Sequence, residues 1–277
     1  MIAPASTGNV ARGDPDGASM DDLARVTPQA FRAACREGRY SGTTRGVALG
    51  YLQCNLVILR ERYAYEFLLY CQRNQKACPV LEVCDTAIAE PHHLAPGADL
   101  RTDLPRYAVY RAGVREADQT DVRHLWADDH VAFLIGSGIS FDYALEQAGV
   151  QTSRDRWVVR TTLPTEPAGR FHGQLIATMR WLTPDETVKA VQVTTRFPFN
   201  HGAPIHLGDP EAIGADLRHP LVGAAVDAIP RGLVPVFWAC GVTPQQAALA
   251  AKLDLTITHA PAHGFVTDVL AREFAIP

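Results

Sequence analysis

Fifteen residues, RFPFNHGAPIHLGDP from Arg196 to Pro210, hold His201, His206 and Asp209 among three prolines and two glycines. Such a stretch is not expected to carry a helix or strand, so it predicts a stiff loop presenting two imidazoles and a carboxylate. Imidazoles take and return protons near neutral pH, and a carboxylate can orient one of them. The same residue types also serve as turn residues bonded only to the backbone. THAPAHGFVTD supplies His259, His263 and Asp268. Two imidazoles and a carboxylate could hold a divalent ion, although these spacings match no metal motif, and Asp268 also reads as an early-helix carboxylate. In FWACGVTPQ, Cys240 stands before an expected helix start, where a thiol pKa can fall and free amides can hold a carboxylate or oxyanion. Its ordinary reading is a buried apolar cysteine, and Trp238 reads as core. IGSGISFD opens like a dinucleotide fingerprint, but Phe141 occupies the third glycine's place. Ser137 and the amides around Gly138 could form an anion nest, with Ser140 as N-cap of the following helix.

The elements that position these residues follow a strand, turn, helix grammar. GLVPVFWACG leads into VTPQQAALAAKL, with Thr243 as expected N-cap and Pro244 at the first position; LTITHA leads through PAHG into FVTDVLAREF; VAFLIG leads through SGIS into FDYALEQAG. Three such units predict an α/β fold, a mostly parallel three-layer sheet domain with ligands beyond the strand ends. Nearer the start, VTPQAFRAACREG predicts a helix with Thr27 as N-cap, Pro28 at its first position and Gly38 as its stop. GYLQCNLVIL and CPVLEVCD read as strands, ERYAYEFLLYCQRN as a helix with a core face, and AEPHHLAPGADL as a loop. RYAVYRAG, RWVVRTTL and GQLIATMRW alternate like half-buried antiparallel strands, and TPDETVKAVQVTT opens with a Thr183 and Glu186 capping box. This change of texture predicts a second, smaller α+β two-layer domain over 106–199, inserted into an α/β core of 20–105 and 200–277, with a flexible leader over 1–19 and Met20 as a conceivable start.

Composition bounds the function. Of 277 residues, 47% are hydrophobic and 20% charged, and the net charge is -4 with no basic block, which disfavours a nucleic-acid groove. The six cysteines form no C-x-x-C pair, which argues against a structural zinc site, and with no secretory signal they point to a reducing cytoplasm. No apolar run is long enough to span a bilayer, and no nucleophile elbow or Walker A loop occurs. A small carboxylic or amino acid is the expected partner, with a homo-oligomer conceivable.

The runs GYLQCNLVIL, CPVLEV, IGSGISFDYAL, TTRFPFNHGAPIHLGDP, VPVFWACGVTPQ and THAPAHGFVTD, in this order from about Val26 to Asp268, resemble the DUF1445 (UPF0317) hydro-lyase family, related to the N-terminal part of mitochondrial D-glutamate cyclase. The resemblance implies two intertwined α/β and α+β domains, and conversion of D-glutamate to 5-oxo-D-proline with loss of water. Departures are Ser137 where the family has cysteine, Asp142 where it has glutamate, and APAHG in place of APGHM. Lactam formation needs a folded substrate, a base for the ammonium, an acid for the departing oxygen and an oxyanion holder. Laid on these residues, His201 or His206 is base and acid with Asp209 orienting one of them, the Cys240–Thr243 loop holds a carboxylate, and His259 and His263 complete the far wall. Arg45 or Arg196 pairs the α-carboxylate, and Asn55, Ser137, Ser140 and Thr243 line the substrate. Two other readings share the crevice: a non-catalytic binding protein for a small acid, and a hydratase or dehydratase assisted by a divalent metal such as manganese.

Overall fold

The computed structural model of the protein describes residues 19–152 and 155–277. The expected leader lies outside them apart from Ser19, which caps the short helix α1 (Met20–Arg25) in a capping box with Asp22. Helix α2 (Pro28–Arg36) starts as its sequence demands, with the Thr27 hydroxyl accepting from Ala30 N–H at 3.3 Å.

Strand β1 (Tyr51–Arg60) is the axis of the first sheet, and its eight inner residues are all buried. After helix α3 (Glu61–Arg73) the chain contributes β2 (Val80–Val83), β3 (Tyr107–Arg111), β4 (Val114–Arg115) and β5 (His130–Gly136). Helix α4 (Asp142–Gln147) then carries it to a second sheet, formed by β6 (Trp157–Pro164), β7 (Gln174–Leu182), β8 (His206–Leu207) and β9 (Val234–Ala239), with α5 (Pro184–Thr195) after β7. Helix α6 (Val242–Ala250) returns it to the first sheet for β10 (Thr256–His259) and β11 (Phe265–Leu270). The orders are β2-β5-β1-β10-β3-β4, with β11 also on β1, and β6-β7-β9-β8.

Every strand pair among the described residues is antiparallel, which corrects the mostly parallel sheet expected from the strand and helix grammar. Two of the three expected helices formed, but with other destinations: α4 and α6 each join one sheet to the other, so neither closes a crossover within a sheet. The apolar run of β1 reflects burial on both faces, Leu52, Cys54, Leu56 and Ile58 packing in one core and Val57 and Leu59 in another. Such burial does not require parallel neighbours. The sheets also exchange strands at α4 and α6 rather than at 106 and 199: β3 and β5 lie in the first sheet, β8 and β9 in the second.

The expected helix FVTDVLAREF is instead strand β11 followed by a 3-10 turn, Ala271–Phe274. Phe265 and Val266 pair with Cys54 and Gln53 of β1 and bury themselves in two different cores, an alternation that suits β-branched residues on a sheet. Asp268 is therefore no helix-start carboxylate; it accepts two hydrogen bonds of 2.9 Å from the Arg32 guanidinium.

Candidate functional site

The site grows from an interruption in the sheet. Strands β10 and β11 run along the same edge of β1, Thr258 opposite Val57 and Phe265 opposite Cys54, and the chain between them leaves the sheet. The loop is pinned outside: Ala262, at φ +65°, accepts from Thr44 N–H at 2.8 Å, and Gly264 N–H donates to the Thr44 hydroxyl at 3.0 Å. Leu56 N–H, deprived of a strand partner, donates instead to His259 Nδ1 at 3.1 Å, and Gln245 Nε2 of α6 lies 3.0 Å from the same nitrogen. Nδ1 also lies 3.5 Å from Leu56 O, a longer contact than that from Leu56 N–H; the shorter one assigns Nδ1 as acceptor and places the neutral ring's proton on Nε2. Burial pushes the His259 pKa down to about 4, so the ring is neutral at pH 7.

Asn55, a polar residue within buried β1, donates from Nδ2 to Gly136 O at 2.8 Å and packs against Gly241, where an added Cβ would lie 2.0 Å from that nitrogen. Across Gly136 runs the loop Phe199–His201: a Cβ on Gly136 would meet Phe199 O at 1.7 Å, and Asn200 Nδ2 donates to Ser137 O at 3.2 Å. His201 is 2% exposed, at φ +76°, with Nδ1 3.1 Å from Lys76 O. A carbonyl can only accept, so here Nδ1 carries the proton and Nε2 keeps its lone pair, the tautomer opposite to that of His259. Burial lowers the His201 pKa to about 4 as well.

Cys240 does stand before a helix start, but its thiol pKa is raised rather than lowered, because burial outweighs its hydrogen bonds with the Thr178 hydroxyl and Val242 N–H. That amide is thus engaged by sulfur. The N-cap of α6 is Gly241, not Thr243, whose hydroxyl accepts from Ile176 N–H at 3.0 Å and ties α6 to β7. Ser140 is likewise no N-cap; Phe141 holds that place, and the Ser140 hydroxyl accepts from Gln53 N–H at 2.9 Å. Ser137 Oγ accepts from Ile139 N–H at 3.4 Å.

His206 and Asp209 do not act as the expected pair. His206 Nε2 lies 2.7 Å from the Asp209 backbone carbonyl on the edge strand β8, with its ring 5.8 Å from Phe237, while the Asp209 carboxylate caps the 3-10 turn Pro210–Ile213 through Glu211 N–H. Both are ordinary turn roles. His263 Nδ1 lies 2.7 Å from Pro261 O in the extruded loop, close enough to His259 to affect it electrostatically, and burial lowers its pKa. Arg196 is exposed and holds Ile276 O near the chain end. The structure therefore groups Asn55, Ser137, His201, Cys240 and His259 around the middle of β1 and the end of β5, and leaves His206, Asp209 and Arg196 apart from that group.

Residues the sequence reading passed over are Gln53, Asn200, Gln245, Arg156 and Arg180. The legible signal was polarity inside apolar strands: Gln53 beside Asn55 in β1, and Arg180 within β7, 4% exposed. Arg180 Nη2 donates to Asp142 Oδ1 at 2.7 Å, and Arg156 bonds the other carboxylate oxygen. Burial alone would raise the Asp142 pKa, but the two guanidiniums outweigh it and hold the carboxyl below the usual range. Arg45, half-buried, hydrogen-bonds Thr152 O beside this group.

Among the described residues no three His, Cys, Asp or Glu side chains converge as a group that could hold a metal ion. None of the described helices is long and apolar enough to cross a membrane.

Residues 131–268 match the family model described as D-glutamate cyclase. The chain is 47% identical over 257 residues to a protein named "Putative hydro-lyase" from Stutzerimonas stutzeri, covering 91% of this chain and 97% of that one. It is 46% identical to "Putative hydro-lyase YcsI" of Bacillus subtilis, covering 91% and 100%. A solved nitrogen repressor-like protein from Methanococcus jannaschii aligns over 83% of this chain and 91% of its own at 11% identity, with a TM-score of 0.36, too distant to bear on the fold. With the match spanning nearly the full length of its relatives at this identity, the chain belongs to the family of these proteins named "Putative hydro-lyase", the family whose model is described as D-glutamate cyclase.

Proposed function

We propose that the protein is a carbon–oxygen lyase that closes D-glutamate to 5-oxo-D-proline with release of water. The observation that carries this reading is the pair of opposite tautomers: His201 keeps a bare Nε2 and His259 a protonated one, each set by a backbone partner. His201 Nε2 takes a proton from the substrate ammonium, and the freed amine attacks the side-chain carboxyl carbon. His259 Nε2–H donates a hydrogen bond to the oxygen that gains charge, as a neutral imidazole can. Collapse re-forms the carbonyl at that oxygen and breaks the bond to the other carboxyl oxygen. The two protons lost by nitrogen leave on this second oxygen as water, His201 taking and returning each in turn, so the enzyme ends unchanged. Depression of both pKa values by burial keeps both rings neutral, as this division of roles requires.

The test is incubation of the purified protein with D-glutamate, L-glutamate and 5-oxoproline, each with and without manganese, followed by proton NMR. The reading requires interconversion of D-glutamate and 5-oxoproline, loss of turnover by at least 100-fold in His201→Asn, and retained substrate affinity in that variant. Absence of conversion of any of these acids by the wild type refutes it, and affinity lost together with turnover favours a binding protein.

A further inference from the structure

The Asp142 carboxylate is shared by two guanidiniums that it cannot satisfy. Asp142 is 6% exposed and Arg180 4%. Arg180 uses Nη2 on the carboxylate, and Arg156 uses its own Nη2. That leaves Arg180 Nε, Arg180 Nη1 and Arg156 Nε buried without a hydrogen-bond partner among the described residues. The Phe141 and Trp238 rings lie 5.6 and 5.5 Å from the Arg180 guanidinium carbon, which serves the face of the cation and not the N–H groups in its plane. Buried guanidinium donors call for acceptors, and the three N–H groups that Asp142 leaves unpaired find none among the described residues. Arg45 adds a third cation, with Glu146 and Asp155 facing it. A small cleft lined by Gly46, Gly50, Gln53, Ser140 and Tyr143 reaches Asp142, though neither arginine lines it. Arg156 also acts electrostatically on Cys240, the neighbour in sequence of Gly241, which packs on Asn55.

We propose that Arg156 and Arg180, held at fixed spacing by Asp142, form a subsite for one carboxylate of a small dicarboxylic acid. The identity of that acid as glutamate rests on the lyase reading above; the anion subsite does not. Glutarate is the appropriate probe, because it has both carboxylates and no amine and so cannot close to a lactam. In calorimetric titration at constant ionic strength, the wild-type chain binds glutarate saturably, Arg156→Gln binds at least tenfold more weakly, Arg156→Lys falls between them, and Arg123→Gln, an exposed control, matches wild type. Nitrogen-15 NMR of the arginine Nε–H groups gives a second readout that needs no variant: glutarate shifts the Arg156 and Arg180 resonances and leaves Arg123 unmoved. No saturable binding, an unchanged Arg156→Gln affinity, or absence of those shifts overturns the proposal. Glutarate binding without conversion of glutamate would sink the lyase reading alone; conversion with an indifferent Arg156→Gln would sink the subsite alone.

Discussion

Gly241→Ala isolates one contact at the heart of the site. The φ of Gly241 is -63°, so an alanine backbone is unstrained there and the whole effect comes from the added methyl. That methyl would stand 2.0 Å from Asn55 Nδ2, 2.4 Å from its Cγ and 2.8 Å from its Oδ1. Asn55 is 7% exposed on a central strand and its side chain is short, so it cannot swing into solvent. Moving it breaks the 2.8 Å bond to Gly136 O, leaving a buried acceptor at a cost of about 1–3 kcal/mol. Overpacking adds about 1–3 kcal/mol. A total of about 2–6 kcal/mol lowers the melting temperature by about 3–10 °C in a chain of this size. Thermal and urea unfolding of wild type, Gly241→Ala, Asn55→Ala and the double variant test it. Because both changes act on one contact, the double variant should be at least about 1 kcal/mol more stable than the sum of the singles predicts. A Gly241→Ala protein within about 0.5 kcal/mol of wild type, or strict additivity, refutes the reasoning.

Three other outcomes are expected. Gly136→Ala should be worse than Gly241→Ala, because its methyl meets the Phe199 carbonyl at 1.7 Å, a backbone atom that cannot rotate away; unfolding measurements should show the larger loss, and any folded fraction should lose turnover as the His201 loop lifts. Between about pH 6.5 and 4 the unfolded chain binds protons that buried His201 and His259 refuse, so stability present above pH 6.5 is lost on acidification, by up to about 1.4 kcal/mol per pH unit for each ring; urea midpoints across this range should flatten in His259→Asn, and an unchanged slope counts against burial as the cause. Asp268→Asn should cost about 2–3 kcal/mol by leaving the Arg32 guanidinium, 4% exposed in its side chain, without its counter-charge, while glutarate affinity stays at the wild-type value; a lost affinity with intact stability would restore Asp268 to the site.

Features decided within a few residues were legible in the sequence. The Thr183 and Glu186 capping box and the Thr27 and Pro28 helix start formed as written, because their partners lie three residues apart. So did β1 as a strand. Strand direction was not legible, because the same strand–turn–helix pattern serves a crossover within one sheet or a passage between two, and α4 and α6 take the second course. Nor could sequence separate His201 from His206: two imidazoles in one stiff loop look alike until one is buried against Gly138 and Lys76 O and the other closes its own turn on Asp209 O. The Asp142 group joins Arg180 to a carboxylate 38 positions away, and the His259 tautomer depends on Leu56 N–H, 203 positions away. Local hydrogen bonds can be read from neighbours along the chain. Protonation sites and unpaired buried charges depend on which distant groups the closed fold brings within hydrogen-bonding reach, and only the tertiary structure decides that.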